Sequence, residues 1–186
     1  MQQQGYAVRR VAVNLSPSQL KDKHLVVHVQ NVLKQSQLHP EHLELELTEN
    51  ILVSKDQMFA CIAELKALGI RLSIDDFGTG YSSLVRLRKI PADQIKIDMS
   101  FIRGLPNDKE CAEIVKIIIS LANVLNKSVI AEGVESEQQV EFLESVGCKL
   151  FQGYFFCRAL SLEDLKDWLQ KNNFTTHDSV AKLKSD

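Results

Sequence analysis

The sequence predicts an α/β protein whose mainly parallel sheet is covered by helices and closed toward a barrel. Three observations predict it. Short apolar strands alternate with amphipathic helices in six successive units, and serial strand-then-helix units require a parallel sheet with helices packed on it. Nearly every strand ends on a polar or acidic residue: Asn14, Glu46, Asp75, Asp98 and Glu132. In a barrel such ends converge on one ring at the C-terminal face, whereas an open sheet spreads them along a line. Finally, no glycine fingerprint of the dinucleotide-binding type opens the first unit, so the open, doubly wound alternative loses its usual marker.

Arg10 to Leu15 is the first strand, followed by Ser16-Pro17-Ser18. Ser18 is expected to cap a helix from Gln19, with Leu20, Leu25, Val29, Val32 and Leu33 on one face. Leu43 to Leu47 alternates leucine with glutamate, the period of a strand, so Glu44 and Glu46 face away from the leucines. Ser54 and Gln57 spell a capping box for a helix whose apolar face is Met58, Phe59, Ile62, Leu65 and Leu68, stopped at Gly69. Ile70 to Ile74 is the third strand. It runs into Asp75-Asp76 and a glycine-rich loop, then a short helix with Leu84 and Leu87. Gln94 to Ile97 is the fourth strand. Glu110 to Leu125 is a helix expected to bury Ile114, Ile117, Ile118, Leu121 and Leu125. Ser128 to Ala131 is the fifth strand. Ser136 and Gln139 form a second capping box before Val140, Phe142, Leu143 and Val146, with Gly147 as the stop. A sixth strand near Leu150 to Phe155 precedes a helix opened by Ser161 and Asp164, with Leu165, Trp168 and Leu169 inward. The barrel domain is expected over residues 1–174, and residues 175–186 are expected to be a flexible tail.

A chain of 186 residues holds one sizeable core. The formal net charge of −2 gives no long basic surface, so DNA and RNA are not expected partners. No run approaches the ~18 apolar residues of a membrane span. Cys61, Cys111, Cys148 and Cys157 match neither a metal-ligand spacing nor a dense disulfide scaffold, which fits a reducing cytoplasm.

The strand-end acids carry the chemistry. Asn14, Glu46, Asp75, Asp76 and Glu132 at one mouth would repel one another unless protonated or bound to cations. Hard oxygen donors of this kind suit Mg²⁺ or Mn²⁺, and no His or Cys stands at a strand end to favour zinc. The adjacent pair Asp75-Asp76 could bridge one ion and reach a second, the two-metal arrangement used on phosphodiesters. Lys96 points the same way as Asp98 and would either orient an attacking hydroxide or balance the acids. The loop Asp76-Phe77-Gly78-Thr79-Gly80-Tyr81-Ser82-Ser83 leaves directly from these acids, and Glu49 is placed to accept backbone hydrogen bonds from it.

Six stretches then resemble a known family in order. They are Val13-Asn14-Leu15-Ser16, Glu46-Leu47-Thr48-Glu49, Asp75 to Leu84, Lys96-Ile97-Asp98, Ala131-Glu132-Gly133-Val134-Glu135 and Gln152-Gly153-Tyr154. Together they resemble the EAL domains, bacterial phosphodiesterases of cyclic di-GMP. The resemblance implies a modified TIM barrel, incomplete here with about six of eight strands. It assigns Asn14, Glu46, Asp75, Asp76 and Glu132 to Mg²⁺ or Mn²⁺ in a two-metal site. It gives catalytic roles to Lys96, Glu49 and Glu135, and substrate contacts to Asp98, Gln152 and Gly153. The implied reaction opens cyclic di-GMP to linear pGpG. The family's signature Glu-Ala-Leu triplet, whose glutamate is a metal ligand on an earlier strand, does not occur in this sequence. Ala159 also stands where the family has proline. The alternative expectation is therefore a catalytically impaired module that binds cyclic di-GMP or a protein partner. The missing strands would leave an open barrel edge, to be covered by a homodimer contact, another partner, or in part by Met1 to Ala7.

Overall fold

A computed structural model describes residues 9–53, 56–80 and 83–172. The strands are β1 (Val11–Leu15), β2 (Leu43–Thr48), β3 (Arg71–Phe77), β4 (Gln94–Ile97), β5 (Ser128–Glu132) and β6 (Leu150–Gln152). Between and after them run α1 (Leu25–Ser36), α2 (Asp56–Ala67), α3 (Leu84–Lys89), α4 (Met99–Ile102), α5 (Lys109–Val124), α6 (Glu137–Ser145) and α7 (Leu162–Lys171). All neighbouring strands are parallel and lie side by side in chain order, from β1 to β6. A doubly wound sheet reverses its order at a switch point; an unbroken order belongs to a barrel wall. The sheet is a curled half-barrel, and the sequence's two alternatives are resolved on that ground.

The two faces of the sheet differ in chemistry. Leu45, Leu47, Leu72, Ile74, Ile95, Ile97, Val129 and Ala131 point to the helices and are buried. Against them pack Ile62 and Leu65 of α2, Val115, Ile118 and Ile119 of α5, and Leu143 of α6. Each such Leu or Ile stabilises the fold by about 1.5–3 kcal/mol relative to its exposed state. Period-two alternation sends Glu44, Glu46, Ser73, Asp75, Gln94, Lys96 and Glu132 to the other face, the concave interior.

At the N-terminal ends of the strands, Asp93 ties several elements together. Its carboxylate accepts from Lys66 Nζ of α2 (2.6 and 2.8 Å) and from the Leu72 amide of β3 (2.9 Å). Its carbonyl accepts from the Ser128 amide of β5 (2.9 Å).

Several sequence expectations need correction. Ser18 does not cap a helix: its hydroxyl meets that of Ser16 (2.8 Å), and a 3-10 turn over Gln19–Lys21 precedes α1. Val32 is 46% exposed. In α5 the inward face is Ala112, Val115, Ile118, Ile119 and Ala122, and Ile117 is 65% exposed. Apart from Lys116, the run from Ile114 to Ile119 is apolar throughout, so its periodicity does not single out a face, and the alanines take inward positions. β6 ends at Gln152, short of Phe155. The Ser136–Gln139 capping box forms as expected. Ser161 caps α7 by accepting from the Asp164 amide. Ser54, and with it the expected cap with Gln57, lies outside the described residues, as do Met1 to Ala7, Tyr81, Ser82 and the tail over 175–186. Among the described residues no helix is long and apolar enough to cross a membrane.

Candidate metal centre

Lys96 occupies the middle of β4 with its side chain in the concave interior, only 4% exposed. Three carboxylates from three other strands close on its ammonium: Glu46 of β2 at 2.7 Å, Asp75 of β3 at 3.0 Å and Glu132 of β5 at 2.7 Å. Residues separated by dozens of positions in sequence thus share one charge centre at the C-terminal ends of the strands. Three carboxylates against one ammonium leave two negative charges uncompensated when all are ionised.

The protonation tendencies follow from this crowding. Burial pushes the Glu132 carboxyl up to about 7, with the Asp75 carboxylate adding to the effect and Lys96 opposing it. Burial would pull the Lys96 ammonium down, but hydrogen bonds to Glu132, Glu46 and Asp75 outweigh it and hold the lysine charged. Asp76 is raised by burial and then by the charges of Asp75 and Asp98.

Asp76 reaches the mouth through a local irregularity. Strict alternation would turn it toward the helices, since Asp75 faces inward. Instead the β3–β4 register slips between Ile74 and Phe77. Two residues, Asp75 and Asp76, then oppose the single Lys96, which is a β-bulge. Asp76 adopts φ 54°, a left-handed conformation that aspartate tolerates better than most residues. Phe77 returns to the helix face and is buried. The outcome is that Asp75, Asp76 and Glu132 each offer an oxygen, all within 4.8 Å of one another. An all-oxygen donor set at that spacing, next to excess negative charge, fits a hard divalent cation. Glu46 joins the set through Lys96. Asn14 is Glu46's register partner on β1 and is exposed.

The glycine-rich loop is anchored from below. Glu49, 4% exposed at the end of β2, accepts from the amides of Gly78 (2.8 Å) and Gly80 (3.1 Å). Asp98 caps α4 by accepting from the Ser100 amide (2.9 Å) and also meets Asp76. Glu135 is exposed beyond β5, and Gln152 is Glu132's register partner on β6. Gly153 lies so close to the Val134 backbone that a Cβ there would collide with it. Glu44 shares a face with Glu46 but sits deeper, paired with Arg10 (2.7 Å) and Arg71 (3.8 Å), away from the mouth. One contributor escaped sequence reasoning. Gln139 was legible as a cap, but its bond to the Ile102 carbonyl, 37 residues away, has no local signature.

Comparison with known proteins adds a lineage. The family model for the EAL domain matches residues 1–159. The cyclic di-GMP phosphodiesterase NbdA of Pseudomonas aeruginosa is 44% identical over 182 residues, covering 97% of this chain and 23% of NbdA. The solved structure of the PaMucR phosphodiesterase in complex with c-di-GMP superposes with TM-score 0.80 at 44% identity, covering 84% of this chain and 64% of that one. The manganese and cyclic di-GMP complex of Klebsiella pneumoniae BlrP1 superposes with TM-score 0.74 at 34% identity, covering 80% of this chain and 38% of that one. The chain therefore spans under a quarter of the length of a curated relative such as NbdA.

Proposed function

The chain belongs to the EAL-domain family, and from that premise we propose that it carries the metal-binding wall of a site that hydrolyses cyclic di-GMP to linear pGpG. The observation that supports this reading is the convergence of Glu46, Asp75 and Glu132 on Lys96, with Asp76 brought alongside by the bulge. Asn14, Glu46, Asp75, Asp76 and Glu132 would hold Mg²⁺ or Mn²⁺ in a two-metal site. A divalent ion there supplies Lewis-acid charge that stabilises the negative charge building on the phosphate oxygens.

The remaining roles fall to the chain's own groups. Hydrolysis forms a bond from a water oxygen to phosphorus and breaks the bond from phosphorus to one ribose oxygen, which leaves with a proton. Lys96 would orient the water, its ammonium donating to the carboxylates on either side. Glu49 would steady the loop over Gly78 and Gly80 and thereby the Asp75-Asp76 pair from which it leaves. Glu135 would act at the rim, and Asp98, Gln152 and Gly153 would line the substrate's path. We further propose that the β1 edge, beside which no strand lies among the described residues, is covered by association, either with a second copy or with another partner.

The test is incubation of the purified protein with cyclic di-GMP and Mn²⁺, read as pGpG formed. Turnover that Asp75→Asn abolishes is the expected result. Cyclic di-GMP binding without product would replace this reading with that of a binding module, and an unchanged rate in Asp75→Asn would remove the metal assignment.

A further inference from the structure

The capping glutamine of α6 reaches beyond its own helix. Gln139 is buried, and both polar atoms of its amide are engaged. Its Oε1 accepts from the amides of Glu135 (2.7 Å) and Ser136 (3.1 Å), and its Nε2 donates to the Ile102 carbonyl (3.0 Å). A capping box needs only the Ser136 bond. The other two bonds reach two segments that form this part of the mouth, the loop after β5 and the short helix α4. One is made at Glu135, three residues beyond Glu132. The other is made at the last residue of α4, whose N-cap is Asp98.

The surroundings show how closely that loop is held. Gly133, at φ 69°, lies against Met99 of α4, where a Cβ would stand 2.6 Å from that of Met99. Val134 is gripped by the β6 side: its amide donates to the Gln152 carbonyl (3.0 Å) and its carbonyl accepts from the Phe155 amide (3.0 Å). Gln139 supplies the support from beneath, at the point where the loop turns into α6. Removing its amide would take the acceptor from the Glu135 amide and would leave the Ile102 carbonyl, which also accepts from the Leu105 amide (3.1 Å), without the bond that reaches across to α6. Each such bond contributes about 0.5–1.5 kcal/mol, and without them no hydrogen bond from α6 ties the two segments together among the described residues.

We infer that Gln139 is a positioning residue that fixes the Glu132–Glu135 loop against the Asp98-headed segment of α4, and so sets how these acids face one another across the mouth. The inference rests on the metal-site reading above and names a residue that touches neither ion nor substrate. Gln139→Leu removes all three bonds at nearly constant volume. Ser136→Ala weakens the cap of the same helix but leaves the tie to Ile102.

The expected result is that Gln139→Leu weakens Mn²⁺ binding about tenfold, the scale of a lost outer-shell support. It should also speed amide exchange over residues 98–103, while Ser136→Ala changes neither. Should Gln139→Leu fail to fold, Gln139→Glu keeps the acceptor for the two amides, loses the donor to Ile102, and takes its place. Equal Mn²⁺ affinity and equal exchange in the two variants overturn the inference. A wild-type chain that neither binds Mn²⁺ nor turns over cyclic di-GMP overturns the metal reading instead, and the exchange comparison then decides alone whether Gln139 ties the two segments.

Discussion

Lys96 places a full charge where water barely reaches, and three carboxylates depend on it. Breaking a buried ion pair by removing one partner costs about 3–5 kcal/mol, because the charge left behind is uncompensated. Lys96→Met is therefore expected to melt well below the wild type in the presence of a chelator. The same variant leaves a more negative cluster, so added Mn²⁺ should raise its melting temperature by more than it raises the wild type's. A ligand at a hundred times its dissociation constant contributes about 2.7 kcal/mol, enough to read in a thermal melt. No Mn²⁺ response in either protein would end the case for a cation at this cluster. At this scale much was legible beforehand: the strand-end position of each acid marked Glu46, Asp75 and Glu132 for one mouth. Asp76 was named but its geometry was not readable, because alternation predicts the wrong face and the bulge that rescues it depends on β4 opposite.

Elements carry the next set of consequences. Glu49 holds two amides of the loop that follows the acids, so Glu49→Ala should quicken exchange at Gly78 and Gly80 and lower turnover together. Quickened exchange with full turnover would separate the loop from the chemistry. At the opposite end of the strands, burial alone would raise the Asp93 carboxyl, but the Lys66 ammonium and the Leu72 amide hold it below the usual carboxylate range. Its folded pKa is thus lower than its unfolded value of ~3.9. The stabilisation is fully present above that value and is lost as the pH falls through the folded pKa. Asp93→Asn has no such titration. It should be less stable at neutral pH by about 1.5–3 kcal/mol, the size of hydrogen bonds to a charged group. Denaturant titrations should show that gap narrowing in acid, and a gap independent of pH would contradict the assignment. The order and type of most elements were legible because periodicity and caps are local signals. The inward face of α5 was not. Ile117 and Ile118 are equally apolar, and only the packing of Ala112 and Ala122 against the sheet distinguishes them.

The described residues form a wall whose β1 margin is free. Strand β1 pairs with β2, and among the described residues its other side has no strand beside it. Val11 and Val13 are register partners of Leu43 and Leu45, on the face that elsewhere packs against helices, yet they are 50% and 46% exposed. An unpaired strand edge next to apolar side chains is a template for another chain. That arrangement could not be read from β1's own residues, since a short Val-Ala-Val run looks the same at an edge and in the middle of a sheet. The expected consequence is association. Sedimentation over a wide concentration range should show the mass rising for the wild type. Val13→Lys should hold it at the monomer, because a lysine at that position would have to lose its hydration to be covered. The same substitution lies off the concave face, so any mass change can be separated from damage to the acids by measuring Mn²⁺ affinity in parallel. A wild type that stays monomeric throughout would mean that this margin is stable in water as it stands, and the proposed cover would fall.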